Sequence, residues 1–188
     1  PDDAASIAAR LITEADADVA ASAAALPLDA RLLRGTLANG LEYYVRPNAK
    51  PSRVVEFRLV VNVGSVAERD DERGVAHFVE HMGFKGTERF DHGELIKKIE
   101  ALGCKYGQHL NAHTGQFETV YRLSVPVSSE TAEARVASAL AILREWAAHV
   151  RVSDDDVETE RRVIEEEWRS KNGPQRRVLH KYWAKVFG

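Results

Sequence analysis

The hydrophobic period of this chain changes in blocks, from two to 3.6, back to two and again to 3.6, and few architectures accept that order. Residues 54–63 are dense in β-branched side chains, with Phe57, Leu59 and Val61 alternating, which predicts a strand, read here as a central one, stopped at Gly64-Ser65. Upstream, Asn39-Gly40 lies between apolar runs and signals a hairpin. Residues 70–84 and 91–102 carry helical periodicity, the second segment closed by Gly103. Residues 106–114 and 117–127 are again strand-like around Thr114-Gly115-Gln116, which predicts a second hairpin ended by Pro126. Val136, Leu140 and Leu143 place a long helix over 129–149. Ser153 followed by three Asp starts another, running to about Lys171, where Asn172-Gly173-Pro174 stops it. Because strands arrive as hairpins and not singly between helices, the expected fold is α+β, a mostly antiparallel sheet with helices packed on one face.

Composition narrows the function classes. The 188 residues are 44% hydrophobic and 29% charged, which is globular and long enough to bury a core. With 26 Lys+Arg against 29 Asp+Glu the net charge is −3, so there is no basic field for phosphate binding, and nucleic acid is not an expected partner. No stretch approaches the roughly 18 apolar residues of a membrane span. Residues 1–34, where Ile7, Leu11 and Ile12 recur at helical spacing, predict a helical extension ahead of a module over 35–188. The chain opens at Pro1 without Met, which fits a removed leader and fits a trimmed window equally. The single cysteine, Cys104, excludes an intrachain disulfide and a multi-cysteine zinc site and reads as a small buried hydrophobe. Any metal must be held by His and carboxylates.

The informative stretch is residues 74–84. On a helix, Val75, Phe78, Val79 and Met82 form an i, i+3, i+4, i+7 stripe that should face the core. His77, Glu80 and His81 then share the opposite side, looking outward. Histidines at i and i+4 stand one turn apart, so both imidazoles can reach one ion, and Glu80 between them is placed to take a proton from a water at that ion. The order His-x-x-Glu-His is the inverse of the common zinc-protease order. A catalytic zinc site needs a third protein ligand and an open position. On the helix starting near Ser153, Val157, Ile164 and Trp168 define an apolar face with Val163 at its margin. Glu160 and Glu167, seven apart, project at that face, where a carboxylate is costly unless paired or bound to metal. Glu167 is the expected third ligand, and Glu160 a residue that orients a ligating imidazole. Glu158 and Glu165 are expected to pair with Arg162 and Arg169 on a solvated surface, which Glu166 shares.

These residues resemble the pitrilysin family, which includes insulin-degrading enzyme and the mitochondrial processing peptidases. The likeness runs from about Gly35 to Arg169. Residues 74–82, continued by Phe84-Lys85-Gly86-Thr87, are similar to that family's metal helix, and residues 160–168 to its distal glutamate motif. Counted literally from His81, the family's spacing lands on Glu158, whereas motif matching lands on Glu167, and an insertion between the two helices accounts for the difference. Asn111-Ala112-His113-Thr114 resembles the family's edge-strand segment, so Asn111 and Ala112 are expected to pair with extended substrate backbone. The other histidines are expected not to be ligands, with His92, His149 and His180 at the surface and His109 and His113 on a separate element.

The resemblance implies a zinc endopeptidase module that hydrolyses peptides or unfolded segments. Zn²⁺ would be held by His77, His81 and Glu167, with Glu80 as general base. It also implies a closed chamber of which this chain is the metal-bearing first module, so that activity needs the C-terminal half of a longer chain or a partner subunit. A noncatalytic binding or assembly subunit of the same family is the alternative, although such relatives lose motif residues and here all four positions stand. A closed structural zinc site is disfavoured by the single cysteine. Low cysteine content and the absent initiator Met fit a processed, periplasmic or otherwise extracytoplasmic bacterial protein, as does similarity to periplasmic-type members, while a cytoplasmic protein would look the same.

Overall fold

The computed structural model describes residues 28–105 and 107–187, leaving aside the side chains of residues 180, 184 and 187. The helix expected over residues 6–16 lies outside the described residues. The chain divides into two compact units, residues 1–52 and 53–188. In the first, β1 (Leu33–Thr36) and β2 (Glu42–Val45) form an antiparallel hairpin with Thr36 opposite Glu42. The turn carries Gly40 at φ +86, the left-handed backbone that Asn-Gly announces.

The second unit contains a three-stranded antiparallel sheet of order β3-β5-β4, built from β3 (Val54–Val61), β4 (Leu110–Thr114) and β5 (Thr119–Pro126). The α+β class, the antiparallel pairing and the second hairpin are as expected. The strand over 54–63 is not the central one, however. That position belongs to β5, which pairs on both sides, while β3 lies at an edge among the described residues. Both runs alternate and both are rich in β-branched residues, so local pattern does not distinguish them. Solvation does, since Val120, Tyr121, Leu123 and Val125 of β5 are buried whereas Glu56, Arg58 and Val60 of β3 are exposed. Gly64 is required after β3, because a Cβ there would stand 2.5 Å from the Gly115 carbonyl oxygen of the β4–β5 turn.

Helices α1 (Val75–Lys85), α2 (His92–Ala101) and α3 (Ala132–Ala148) are followed by α4 (Asp154–Lys171) and α5 (Pro174–Phe187). The helix expected from residue 70 starts only at Val75. Gly74 adopts φ +95, and the preceding residues form short 3-10 turns at Ser65–Ala67 and Asp70–Glu72. The Glu68 carboxylate then accepts from the Gly74 and Ala76 N–H groups, each at 2.8 Å, and so satisfies two of the donors that the start of α1 leaves without a helical partner. Ser153 caps α4, its hydroxyl accepting from the Asp156 N–H at 3.2 Å. Helix α5 is not anticipated by the sequence reading, although Pro174 at its first position is a start signal as much as a stop.

The core joins one face of the sheet (Leu110, Tyr121, Leu123, Val125) to α2 (Leu95, Ile99) and α3 (Ala139, Ile142, Trp146). The long helix expected from Val136, Leu140 and Leu143 is present, with Leu140 on its exposed side. The row of α3 turned to the core is Ala139, Ile142, the partly buried Leu143, and Trp146. Cys104 is buried, its thiol donating to the Ser124 carbonyl at 3.3 Å. Helix α1 is fastened to this core by Met82, which is fully buried, and by Trp146, whose indole N–H donates to the Gly83 carbonyl at 2.9 Å while its ring stacks on Tyr121 with centroids 5.3 Å apart. No helix among the described residues is long and apolar enough to cross a membrane.

Candidate metal centre

Only half of the apolar stripe of α1 reaches the core. Met82 is buried, but Val75 and Val79 are 50% and 45% exposed, because the core lies under the C-terminal half of the helix. The opposite face, expected to look outward, is covered. It meets α4 and β4 across a cavity of about 570 Å³, and Glu80 is only 7% exposed. The sequence places these three side chains on one face, and tertiary packing puts that face in a cleft.

Within the cleft the His77 and His81 rings stand edge to face with centroids 4.7 Å apart, and their Nε2 atoms are 3.2 Å apart. Two imidazole nitrogens so close share either one proton or one cation. Glu167 reaches in from α4, with Oε2 3.7 Å from His77 Nε2 and Oε1 4.0 Å from His81 Nε2. One donor atom from each of the three residues lies within 4.8 Å of the others. On its far side, His81 Nδ1 stands 2.8 Å from Glu160 Oε1. A carboxylate is an acceptor, so this nitrogen carries a proton, and in the neutral ring that tautomer turns the Nε2 lone pair to the cluster. Lys85 Nζ lies 2.5 Å from the other oxygen of Glu160, and Lys171 Nζ 2.7 Å from Glu167 Oε2.

Electrostatics favour the ligating forms of His77 and Glu167. Burial lowers the pKa of His77 below the ordinary histidine value and the neighbouring His81 lowers it further, which keeps the ring neutral. Burial pushes Glu160 upward, but hydrogen bonds and charge from Lys85 and His81 outweigh it, and the net shift is down. Lys171 is the main cause of the lowered pKa of Glu167. Two imidazole nitrogens and one carboxylate, with one imidazole oriented from behind, form a donor set suited to Zn²⁺, so the residues present fit that ion.

Glu80 is adjacent to the cluster, its Oε2 accepting a 2.6 Å bond from the Thr114 hydroxyl at the end of β4. Burial and the Glu80 charge push the Tyr121 phenol up to about 12. Asn111 and Ala112 line the same cavity, on the strand whose outer edge is unpaired among the described residues. The residues expected at the site (His77, Glu80, His81, Glu160, Glu167, Asn111 and Ala112) therefore all meet at one cleft. Glu158 does not. It is exposed and pairs with Arg161 at 3.1 Å, one position short of the expected Arg162. Trp168, expected on the apolar face of α4, is 59% exposed. His109 accepts from the Lys105 N–H, while His149 is half-buried against Glu88, and His92 and His113 are exposed at the cavity rim outside the donor cluster. Sequence reasoning missed Thr114, Lys85, Lys171 and Glu68. For Lys85 a signal existed, since residues 77, 81 and 85 form one i, i+4, i+8 row.

A metal-suited cluster on an α+β module with an inverted His-x-x-Glu-His helix narrows the class, and comparison with known proteins gives the family. The profile described as Insulinase (Peptidase family M16) matches residues 43–185, and the chain belongs to that family. It is 42% identical over 148 residues to a probable zinc protease, PqqL, of Escherichia coli, covering 79% of this chain and 16% of that protein. It is 36% identical over 154 residues to the chloroplastic stromal processing peptidase of Arabidopsis thaliana, covering 81% of this chain and 11% of that one. The crystal structure of the periplasmic protease PqqL from Escherichia coli superposes with a TM-score of 0.77 at 39% identity, over 84% of this chain and 17% of that chain. The chain thus spans about a sixth of the length of the bacterial relative and matches within the first half of such longer proteins.

Proposed function

We propose that this chain is the metal-bearing module of a zinc-dependent endopeptidase that hydrolyses peptides or unfolded segments. In this reading His77, His81 and Glu167 hold Zn²⁺, and Glu80 is the general base. The supporting observation is the convergence of two Nε2 atoms and the Glu167 carboxylate within 4.8 Å, with Glu80 on the adjoining position of the same helix. Bound there, zinc supplies Lewis acidity, polarising a peptide carbonyl and easing deprotonation of water. The chain's own residues do the rest. Glu160 fixes the His81 tautomer. The Thr114 hydroxyl occupies Glu80 Oε2 and leaves Oε1 to take the proton from the attacking water, which Glu80 then passes to the leaving amine nitrogen. Asn111 and Ala112 on β4 offer an open strand edge to substrate in extended conformation, which recognises backbone and tolerates many sequences.

The domain reading that goes with this is an extension over residues 1–34 followed by the module over 35–188. The module works with a C-terminal half or a partner subunit that closes the cleft, and alone it has little peptidase activity. Likeness to the periplasmic protease PqqL of Escherichia coli supports an extracytoplasmic bacterial location. The test is metal analysis and zinc competition on the purified chain. Glu167→Ala is expected to weaken zinc binding by ~10–100-fold or more, as loss of a zinc ligand or its support does. Glu80→Gln is expected to keep the ion. Release of zinc by Glu158→Ala with retention by Glu167→Ala would overturn the ligand assignment.

A further inference from the structure

Resting on the zinc site proposed above, we infer that Lys85 is a positioning residue for that site, acting on His81 through Glu160. Helix α1 sets His77, His81 and Lys85 in one row on the face turned to α4. Glu160 of α4 is gripped by two successive turns of that row, with Oε1 at 2.8 Å from His81 Nδ1 and Oε2 at 2.5 Å from Lys85 Nζ. The ion pair is shielded, the side chains of Glu160 and Lys85 being 8% and 21% exposed. A carboxylate held at one oxygen only can turn about its terminal torsion and carry its acceptor away from Nδ1. The ammonium removes that freedom, and among the described residues Glu160 Oε2 has no other polar partner to do so in its place.

With the carboxylate fixed, the His81 ring plane is fixed, and its Nε2 stays aimed at the point it shares with His77 Nε2, 3.2 Å away. Lys171 stands in a similar relation to Glu167, but both partners of that pair are more exposed, at 57% and 35%. Solvent screens such a rim pair and leaves it little hold on geometry. Lys85 also closes the last turn of α1, where a cation favours the helix itself, so fold support has to be separated from site positioning.

The separating measurement is zinc affinity, by competition with a chromophoric chelator on the 188-residue chain, with circular dichroism of the metal-free form alongside. Lys85→Met is expected to weaken zinc binding by ~10–100-fold while the metal-free spectrum stays native, and Lys85→Arg to restore most of the loss. Adding Lys85→Met to Glu160→Gln should weaken binding no further than Glu160→Gln alone. Wild-type affinity in a folded Lys85→Met chain overturns the inference, as does a double variant that loses both factors independently. Should Lys85→Met fail to fold, Lys85→Gln, which keeps a donor beside the buried Glu160 carboxylate but no charge, is measured instead, and wild-type affinity in that folded chain likewise overturns the inference. A His77→Ala control separates the two levels. If it binds zinc as wild type does, the zinc site itself falls and this inference with it; if only Lys85→Met matches wild type, the site stands and the role of Lys85 falls.

Discussion

The core beneath the sheet and the seam between α1 and α4 are built by opposite means. In the core, Leu95, Leu110, Leu123, Val125 and Ala139 are buried among one another, and the polar groups there, such as the Trp146 N–H, find a backbone partner. In the seam, Glu160, His81, Lys85, Glu167 and Lys171 face each other, while the apolar residues of α4 contribute little, Val163 and Trp168 being exposed. Apolar burial is favourable wherever it occurs, so it fixes the scaffold. A cluster of ionisable groups carries a desolvation cost, and it persists because its members satisfy each other in a geometry that can accept a cation. Helix α1 belongs to both regions, with Met82 in the core and His77 and His81 in the seam, which gives the two imidazoles a rigid mount.

Substitutions in the two regions should therefore separate stability from chemistry. The largest effect is expected for Glu80→Gln in the assembled enzyme, where peptide hydrolysis should fall by ~10²–10⁴-fold with zinc content unchanged, measured by single-turnover assay and metal analysis. Retained hydrolysis would remove Glu80 from the seam's chemistry. Next, Leu123→Ala should cost about 2–5 kcal/mol in urea unfolding of the metal-free chain, since its side chain is fully buried, yet leave zinc affinity intact in the folded fraction. A parallel loss of affinity would mean that the two regions are not separable.

A smaller effect is expected from acid. His77, Glu160 and Glu167 all have pKa values lowered by folding, so below their ordinary values the unfolded chain binds more protons than the folded one. Stability is thus greatest above the ordinary histidine value and declines as pH falls through it and then through the carboxylate range. Urea midpoints of the metal-free chain between about pH 8 and pH 4, a range that takes in the ordinary histidine and carboxylate values, should follow that sign. The Leu123→Ala variant should run parallel to wild type and lower, and His77→Ala should flatten the upper part of the decline. The smallest effect belongs to Glu158→Ala, whose carboxylate is exposed and paired only with Arg161. It should change stability by less than about 0.5 kcal/mol and zinc binding not at all.

Much of this site is legible in the linear sequence because its geometry is local. The i, i+4 histidines and the intervening Glu80 need only a helix to share a face, and the seven-residue separation of Glu160 and Glu167 needs only another. The strand alternation, the Asn39-Gly40 turn and the Ser153 cap are local in the same sense. What was not legible depends on neighbours distant in sequence. Central placement of β5 over β3, the choice of Ala139 and Ile142 as buried positions of α3, and the exposure of Trp168 follow from which surface each element meets.

The amino-acid order by itself determined which side chains travel together on each element and which residue types could hold a metal. Tertiary structure alone decided that Glu160 meets His81 across 79 positions of chain, that Thr114 donates to Glu80 from a strand 34 positions away, and that the polar face of α1 closes into a cleft and not onto solvent. The reason is physical. Helical and strand periods repeat within a few residues and can be read from any short window, whereas contacts between elements depend on how several apolar faces are buried at once, and no single segment carries that information.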